Sequence, residues 1–270
     1  SPQSSAASIN AWVDLVDDCA RGIHMSRLYN LLQSRLANQT IERQMICDAL
    51  DAMLASQAHL SRRAQLDISA DVLLLRPALV SALAGWQRYP VTCRARKLKA
   101  GYSFEIELGV GYSSTCPSSA ALARHAQSHA FLQRFGDRAL GAADVAAWLD
   151  SPLGATATAH AQRSEARVRV RFGANAAWPD VKTLVDRCEA ALGTPLQTAV
   201  KRIDEQAFAM RNAENLMFCE DAARRLHAAF VGDSQLEDFE IRVAHFESLH
   251  AHDAVASVSR SGAYRTLAMG

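Results

Sequence analysis

The chain has 270 residues, 49% apolar and 21% charged, enough for one large domain or two fused modules around a real core. Its 29 basic and 28 acidic residues leave a formal net charge of +1, so no global field draws it to nucleic acid or a membrane surface, and an anionic ligand must be held by a local cluster. No apolar run approaches the ~20 residues that span a bilayer, Ser1 to Asn10 lacks the charged and apolar regions of a secretory signal, and the six cysteines contain no C-x-x-C pair, so a reducing cytoplasm is expected.

In chain order, Trp12 to Asp18 reads as a short strand, and Ser26 to Leu36 and Ile41 to Leu60 as helices, the first with Leu28, Leu31, Leu32 and Leu36 at helical spacing. Asp67 to Arg76 returns as a strand. Tyr89 to Leu98 and Tyr102 to Tyr112 form a β-hairpin around Ala100 and Gly101, with Phe104, Ile106, Leu108 and Val110 alternating. Ser118 to Phe135 is a helix opened by Pro117, where the missing N–H costs nothing. A looped stretch with a short helix near Ala143 to Leu149 leads to the strand Glu165 to Phe172, which alternates apolar residues with arginines. Helices follow at Val181 to Leu192, Glu205 to Arg211 and Leu216 to Val231, then strands at Phe239 to Phe246 and Ala254 to Val258. The pattern is α+β with antiparallel sheets, and no glycine-rich phosphate loop is present.

Four segments hold polar groups that packing does not explain. Cys116 sits in Ser113-Ser114-Thr115-Cys116-Pro117 between a strand and a helix, where the helix dipole favours thiolate, the form that binds metal or attacks carbon; a small buried residue at a turn would look the same. His160, before a strand, suits a metal ligand or an ordinary loop histidine. Lys201-Arg202-Ile203-Asp204-Glu205-Gln206 leads towards Glu220, whose apolar neighbours Leu216, Phe218 and Cys219 would make a buried carboxylate a specific recogniser rather than a solvated helix face. Glu247, His250 and His252 place three titratable groups within six residues. On a strand the two histidines would share a face, whereas a turn after Ser248 would bring Glu247 and His250 together. His125 and His129, four apart on an alanine-rich amphipathic helix, lack a nearby third ligand and are set aside, and the remaining cysteines read as core residues.

Taken in order, Gly22-Ile23-His24-Met25-Ser26-Arg27, Ser114-Thr115-Cys116-Pro117, His160-Ala161-Gln162-Arg163-Ser164, Asp204-Glu205-Gln206, Phe218-Cys219-Glu220-Asp221 and Glu247-Ser248-Leu249-His250-Ala251-His252-Asp253 resemble GTP cyclohydrolase type IB from about Val13 to Val258. The resemblance implies two fused tunnelling-fold-like units, residues 1–114 and 115–270, with antiparallel sheets each carrying a helix pair, assembled as a homotetramer. It implies hydrolysis of GTP to 7,8-dihydroneopterin triphosphate and formate, the entry step of pterin and folate synthesis. Carried over by position, Cys116, His160 and Glu205 correspond to the metal ligands, Glu220 to the purine-edge carboxylate, and Glu247 and His250 to the acid–base pair. The ion implied is divalent, zinc first, with manganese or iron as alternatives; Lys201 and Arg202 are candidates for the triphosphate. Two departures stand out: Ser118 replaces a second cysteine common in the family, and the spacer Pro117 to Ala159 is long. Family chains usually begin earlier, so part of the N-terminus is expected to be missing. The rival readings are a deazapurine nitrile reductase of the same fold with Cys116 as nucleophile, and a non-catalytic purine- or metal-binding protein.

Overall fold

Strand alternation and helical spacing resolve, in the computed structural model, into one sheet with helices on one side. The structure describes residues 5–260 apart from 38, 58, 59, 174 and 175. Its elements are β1 (Ala7–Val13), α1 (Met25–Leu36), α2 (Arg43–Ser56), β2 (Ala64–Pro77), β3 (Ala84–Leu98), β4 (Gly101–Thr115), α3 (Pro117–Phe135), α4 (Ala142–Leu149), β5 (Ala161–Phe172), α5 (Val181–Leu192), α6 (Arg202–Glu214), α7 (Cys219–Val231), β6 (Leu236–His245) and β7 (Ala254–Ser259). The seven strands lie in sequence order, each antiparallel to the next. The α+β class expected from the sequence holds. Residue 114 falls near the end of β4, within this continuous sheet.

Side chains alternate across each strand, so one face collects Phe104, Ile106, Leu108, Val110 and Tyr112 of β4 beside Ala166, Val168, Val170 and Phe172 of β5, all buried. Helices cover that face: α2 lies on β2 and β3, α5 on β4, and α7 on β6 and β7. Each fully buried Leu, Ile or Phe contributes roughly 1.5–3 kcal/mol of transfer free energy, which makes this layer the main source of stability. The other face pairs charges across strands. Asp67 lies opposite Arg94, Arg94 opposite Glu105, Glu105 opposite Arg171, and Arg171 opposite Asp238, a row of alternating sign. Glu105, 5% exposed, accepts from Arg94, Arg96 and Arg171, and these cations hold its carboxyl below the usual range against the opposing effect of burial.

Where boundaries depart from the sequence-based expectation, the cause is tertiary. β1 lies earlier than Trp12 to Asp18, because it pairs from Ala7 opposite Ala70 to Val13 opposite Ala64, and as an edge strand it is too exposed to show a strong pattern. Helix α7 starts at Cys219 rather than Leu216, since Leu216 forms a parallel bridge with Thr115 and Met217 N donates to Thr115 O at 3.1 Å. Helix α2 ends at Ser56, short of Leu60; residues 58 and 59 of that expected helix lie outside the described ones. Of the cysteines read as core, Cys47, Cys93, Cys188 and Cys219 are buried, but Cys19 is exposed in a turn. Helices α3 and α4 stand off the sheet: α3 buries only Ala120, and Phe131, Phe135 and Trp148 pack on one another with ring centroids 5.0–5.9 Å apart.

Candidate active site

The register of β4 against β5 runs to its ends, with Thr115 opposite Ala161, so the residues just beyond, Cys116 and His160, meet. Cys116 N donates to His160 O at 3.3 Å, and His160 N donates to Ser119 Oγ at 3.1 Å. Cys116 also caps α3. Its extended backbone (φ −68°, ψ 123°) turns the chain, Pro117 opens the helix, and Sγ accepts from Ser119 N at 3.5 Å. A sulfur at a helix N-terminus faces the positive end of the helix dipole.

His160 and Gln162, two apart at the start of β5, project to one side and make a relay. His160 Nδ1 lies 2.9 Å from Gln162 Oε1, and Gln162 Nε2 donates to Glu247 Oε1 at 3.2 Å. A carboxylate only accepts, so the amide must turn its NH₂ to Glu247 and its oxygen to His160. Nδ1 therefore carries the proton, and Nε2 keeps the lone pair that a metal needs. Glu247 lies in the loop between β6 and β7, which Glu247 N closes by donating to Asp253 Oδ1 at 3.2 Å. The same loop carries His250 and His252, both exposed, with rings stacked 5.2 Å apart at 12°. The expected strand ends before Glu247, at His245, so neither shared-face geometry nor a Glu247–His250 hydrogen bond is what joins these residues; the loop does.

Beneath this lies a polar floor in the helix-covered face. Tyr112 Oη is 2.8 Å from His245 Nε2, and Ser114 Oγ is 2.8 Å from Ser164 Oγ, with all four residues at most 3% exposed. Burial lowers the His245 pKa to about 4 despite the nearby negative charges of Glu220 and Asp221, so the imidazole is neutral at neutral pH. Glu220, half-buried in the first turn of α7, accepts from Cys219 Sγ at 3.3 Å. Burial and then Glu220 itself push the Cys219 thiol up to about 12, so it stays a donor.

On the other side of Thr115 opens a cleft of about 690 Å³ between α3 and α6, with Thr115, Ala161, Phe208 and Leu216 in its walls and Glu205 projecting from α6. Thr115 Oγ1 and Asn212 Oδ1, both on this cleft, are buried without a hydrogen-bond partner. Lys201 and Arg202 begin α6 and are exposed. Among the described residues no three His, Cys, Asp or Glu side chains stand close enough together to enclose a metal ion. Cys116 and His160 fit an ion through the thiol at a helix start and the tautomer fixed by Gln162, whereas Glu205 stands apart on the cleft wall.

The sequence matches the family described as type I GTP cyclohydrolase FolE2 over residues 1–256. The GTP cyclohydrolase FolE2 of Pseudomonas putida is 50% identical over 255 residues, covering 94% of this chain and 84% of that one. The chain belongs to the type I GTP cyclohydrolase FolE2 family. A second FolE2 relative, from Chromohalobacter salexigens, is 48% identical over 247 residues, 92% of this chain and 81% of its own. Among solved structures, a uricase from Bacillus fastidious, a tunnelling-fold-like protein, superposes with a TM-score of 0.52 over 94% of this chain and 80% of its own. At 8% identity that likeness concerns the fold alone.

In this FolE2-family chain, the structure brings Cys116, His160 and Glu247 to one place and sets Glu220 at the adjacent start of α7, while Glu205, Lys201 and Arg202 lie along α6. The sequence reading assigned no role to Gln162 or to Tyr112, Ser114, Ser164 and His245. The H-x-Q spacing of His160 and Gln162 was a visible signal, since residues two apart on a strand share a face. The floor left none, because its members come from three strands.

Proposed function

We propose that this chain hydrolyses GTP to 7,8-dihydroneopterin triphosphate and formate, the first step of pterin and folate synthesis, as a homotetramer in the cytoplasm. The observation that carries the reading is the convergence of Cys116, His160, Gln162 and Glu247 in a chain of the FolE2 family. Cys116 and His160 would hold a divalent ion, zinc or else manganese or iron, with Glu205 brought in from α6 to close the set. Such an ion supplies Lewis acidity and makes water a competent nucleophile near neutral pH, its pKa falling towards ~7. Glu220 accepts from the guanine N1–H and 2-amino groups, and Lys201 and Arg202 meet the triphosphate. His250 delivers the proton that the ring nitrogen needs as its bond to C8 breaks, and Glu247 orients or recharges it. The units 1–114 and 115–270 would each contribute sheet and helices to the assembly.

The test is formate release from GTP by the parent chain, His250→Ala and His252→Ala, with the metal content of each. His250→Ala is expected to keep its metal and lose about 10²–10⁴-fold in rate, the usual contribution of a positioned proton donor. Loss of metal would make His250 a ligand, and a large loss in His252→Ala alone would move the role to that residue. No formate from the metal-loaded parent would overturn the reading.

A further inference from the structure

Helix α3 carries two histidines on the side turned away from the rest of the molecule. At about 100° per residue, Leu122, His125, His129 and Leu132 fall within about 80° of its circumference. All four are exposed, the two leucines at 68% and 59%. The packed face of the helix lies opposite: Ala120 is buried, Phe131 and Phe135 pack on Trp148, and Gln127 donates to Gly154 O at 2.7 Å. Among the described residues, neither imidazole has a hydrogen-bond or ion-pair partner. Residues four apart on a helix stand about 5–6 Å apart at Cβ, the spacing from which two imidazoles hold one ion. Two ligands leave that ion half coordinated, and among the described residues of the same chain no third stands near them.

The stripe reads the same in both directions. Its spacing is Leu-x-x-His-x-x-x-His-x-x-Leu, so a second α3 running antiparallel across a two-fold axis sets Leu122 of each copy on Leu132 of the other. The same operation faces the two histidines with their counterparts, and four imidazoles then surround one ion between the helices. We propose that this face of α3 is a zinc-dependent contact between two copies of the chain. Imidazole suits zinc, and four nitrogens meet the tetrahedral coordination that zinc takes in closed sites. Packed helices lie about 8–10 Å apart, a gap that facing histidines span with an ion ~2.0–2.1 Å from each nitrogen. The nearest charged side chains on α3, Arg124 and Arg134, point more than about 100° from the centre of the stripe and do not oppose a cation there. His125 lies about 13 Å of helix rise from Cys116, so the site is separate from the one at the start of α3 and does not rest on its chemistry.

The experiment measures Zn²⁺ bound per chain by equilibrium dialysis, and mass by light scattering with Zn²⁺ and with EDTA, for the full chain and three variants. These are His125→Ala, His129→Ala and Leu132→Glu, all at exposed positions where a substitution leaves the fold standing. The parent is expected to bind about one ion more per two chains than either histidine variant, since the two-fold axis passes through the ion. Leu132→Glu keeps both histidines and should weaken that ion by about 10-fold or more, because a charge buried against Leu122 opposes the contact. Zn²⁺ should raise the mass of the parent above that of the histidine variants, and EDTA should remove the difference. Equal Zn²⁺ content in the parent and both histidine variants overturns the site. One extra ion per chain instead of one per two chains overturns the pairing, and so does a parent mass that matches the histidine variants in Zn²⁺.

Discussion

A histidine buried beside a tyrosine, as His245 is, pays for its neutrality whenever the solution turns acid. Its folded pKa of about 4 lies below the ordinary value of about 6.5, because burial outweighs Glu220 and Asp221. The unfolded chain therefore binds the extra proton first, and the contribution to stability is complete above about pH 6.5 and lost as pH falls towards 4. Relative to His245→Gln, which keeps a polar partner for Tyr112 but does not titrate, the parent should lose up to about 3 kcal/mol over that window. Urea denaturation of both at pH 7 and pH 5 reads this directly; a constant difference would mean that folding leaves the His245 pKa unshifted. Glu220 belongs to the same scale. Two charge-assisted hydrogen bonds to guanine are worth roughly 1.5–3 kcal/mol each, so Glu220→Gln should cut GTP turnover by on the order of 10²-fold or more without loss of metal. Comparable turnover of ATP by the parent would refute that assignment.

At the scale of elements, the outer half of the β2–β3 hairpin runs beyond β1 and β4, since β1 pairs only to Ala70 and β4 only from Val91. It is held to the helical layer at two points. Asp204 grips its loop, and Arg76 joins Tyr89 at 2.9 Å, Asp186 at 2.6 Å and Glu189 at 3.1 Å, binding the hairpin to α5. Burial raises both the Tyr89 and the Glu189 pKa, yet Tyr89 donates to Glu189, so the pair is satisfied internally. Between these points Gly85 abuts Thr198 and Ala199. Gly85→Ala puts a methyl where Thr198 Oγ1 would be 2.2 Å away, and it should destabilise the fold by about 1–3 kcal/mol in chemical denaturation. A neutral result would show that the hairpin end shifts freely against the approach to α6.

The whole molecule is an open sheet with β1 and β7 at its edges and a charge-paired face without helices of its own among the described residues. Exposed Leu73, Leu75 and Trp86 lie together on the projecting hairpin, Leu75 directly opposite Trp86. Open strand edges and such apolar patches are what assembly covers. Light scattering of the purified chain should give the mass of four copies, and a monomer at micromolar concentration would remove the homotetramer from the proposal.

Much of the fold was legible because local periodicity decides it. The alternation of Phe104 to Val110 and of Ala166 to Phe172 marked β4 and β5, and the boundaries of α5 coincide with the sequence-based ones. The edge strand β1 and the start of α7 were not legible, since a pairing partner and a bridge to Thr115 set them. For the site, motif order alone pointed to Cys116, His160, Glu205, Glu220, Glu247 and His250, with Lys201 and Arg202 as candidates for the triphosphate, and of these the structure groups Cys116, His160 and Glu247. The meeting of Cys116 and His160 depends on the β4–β5 register, and the Gln162 link to Glu247, the buried Tyr112–His245 pair and the Asp204 bonds to Val80 and Ser81 join residues far apart in the chain. Sequence determined which side chains exist and which local shapes they favour; tertiary structure decided which polar groups face each other, because hydrogen bonds act over about 3 Å and the chain sets that distance only by folding.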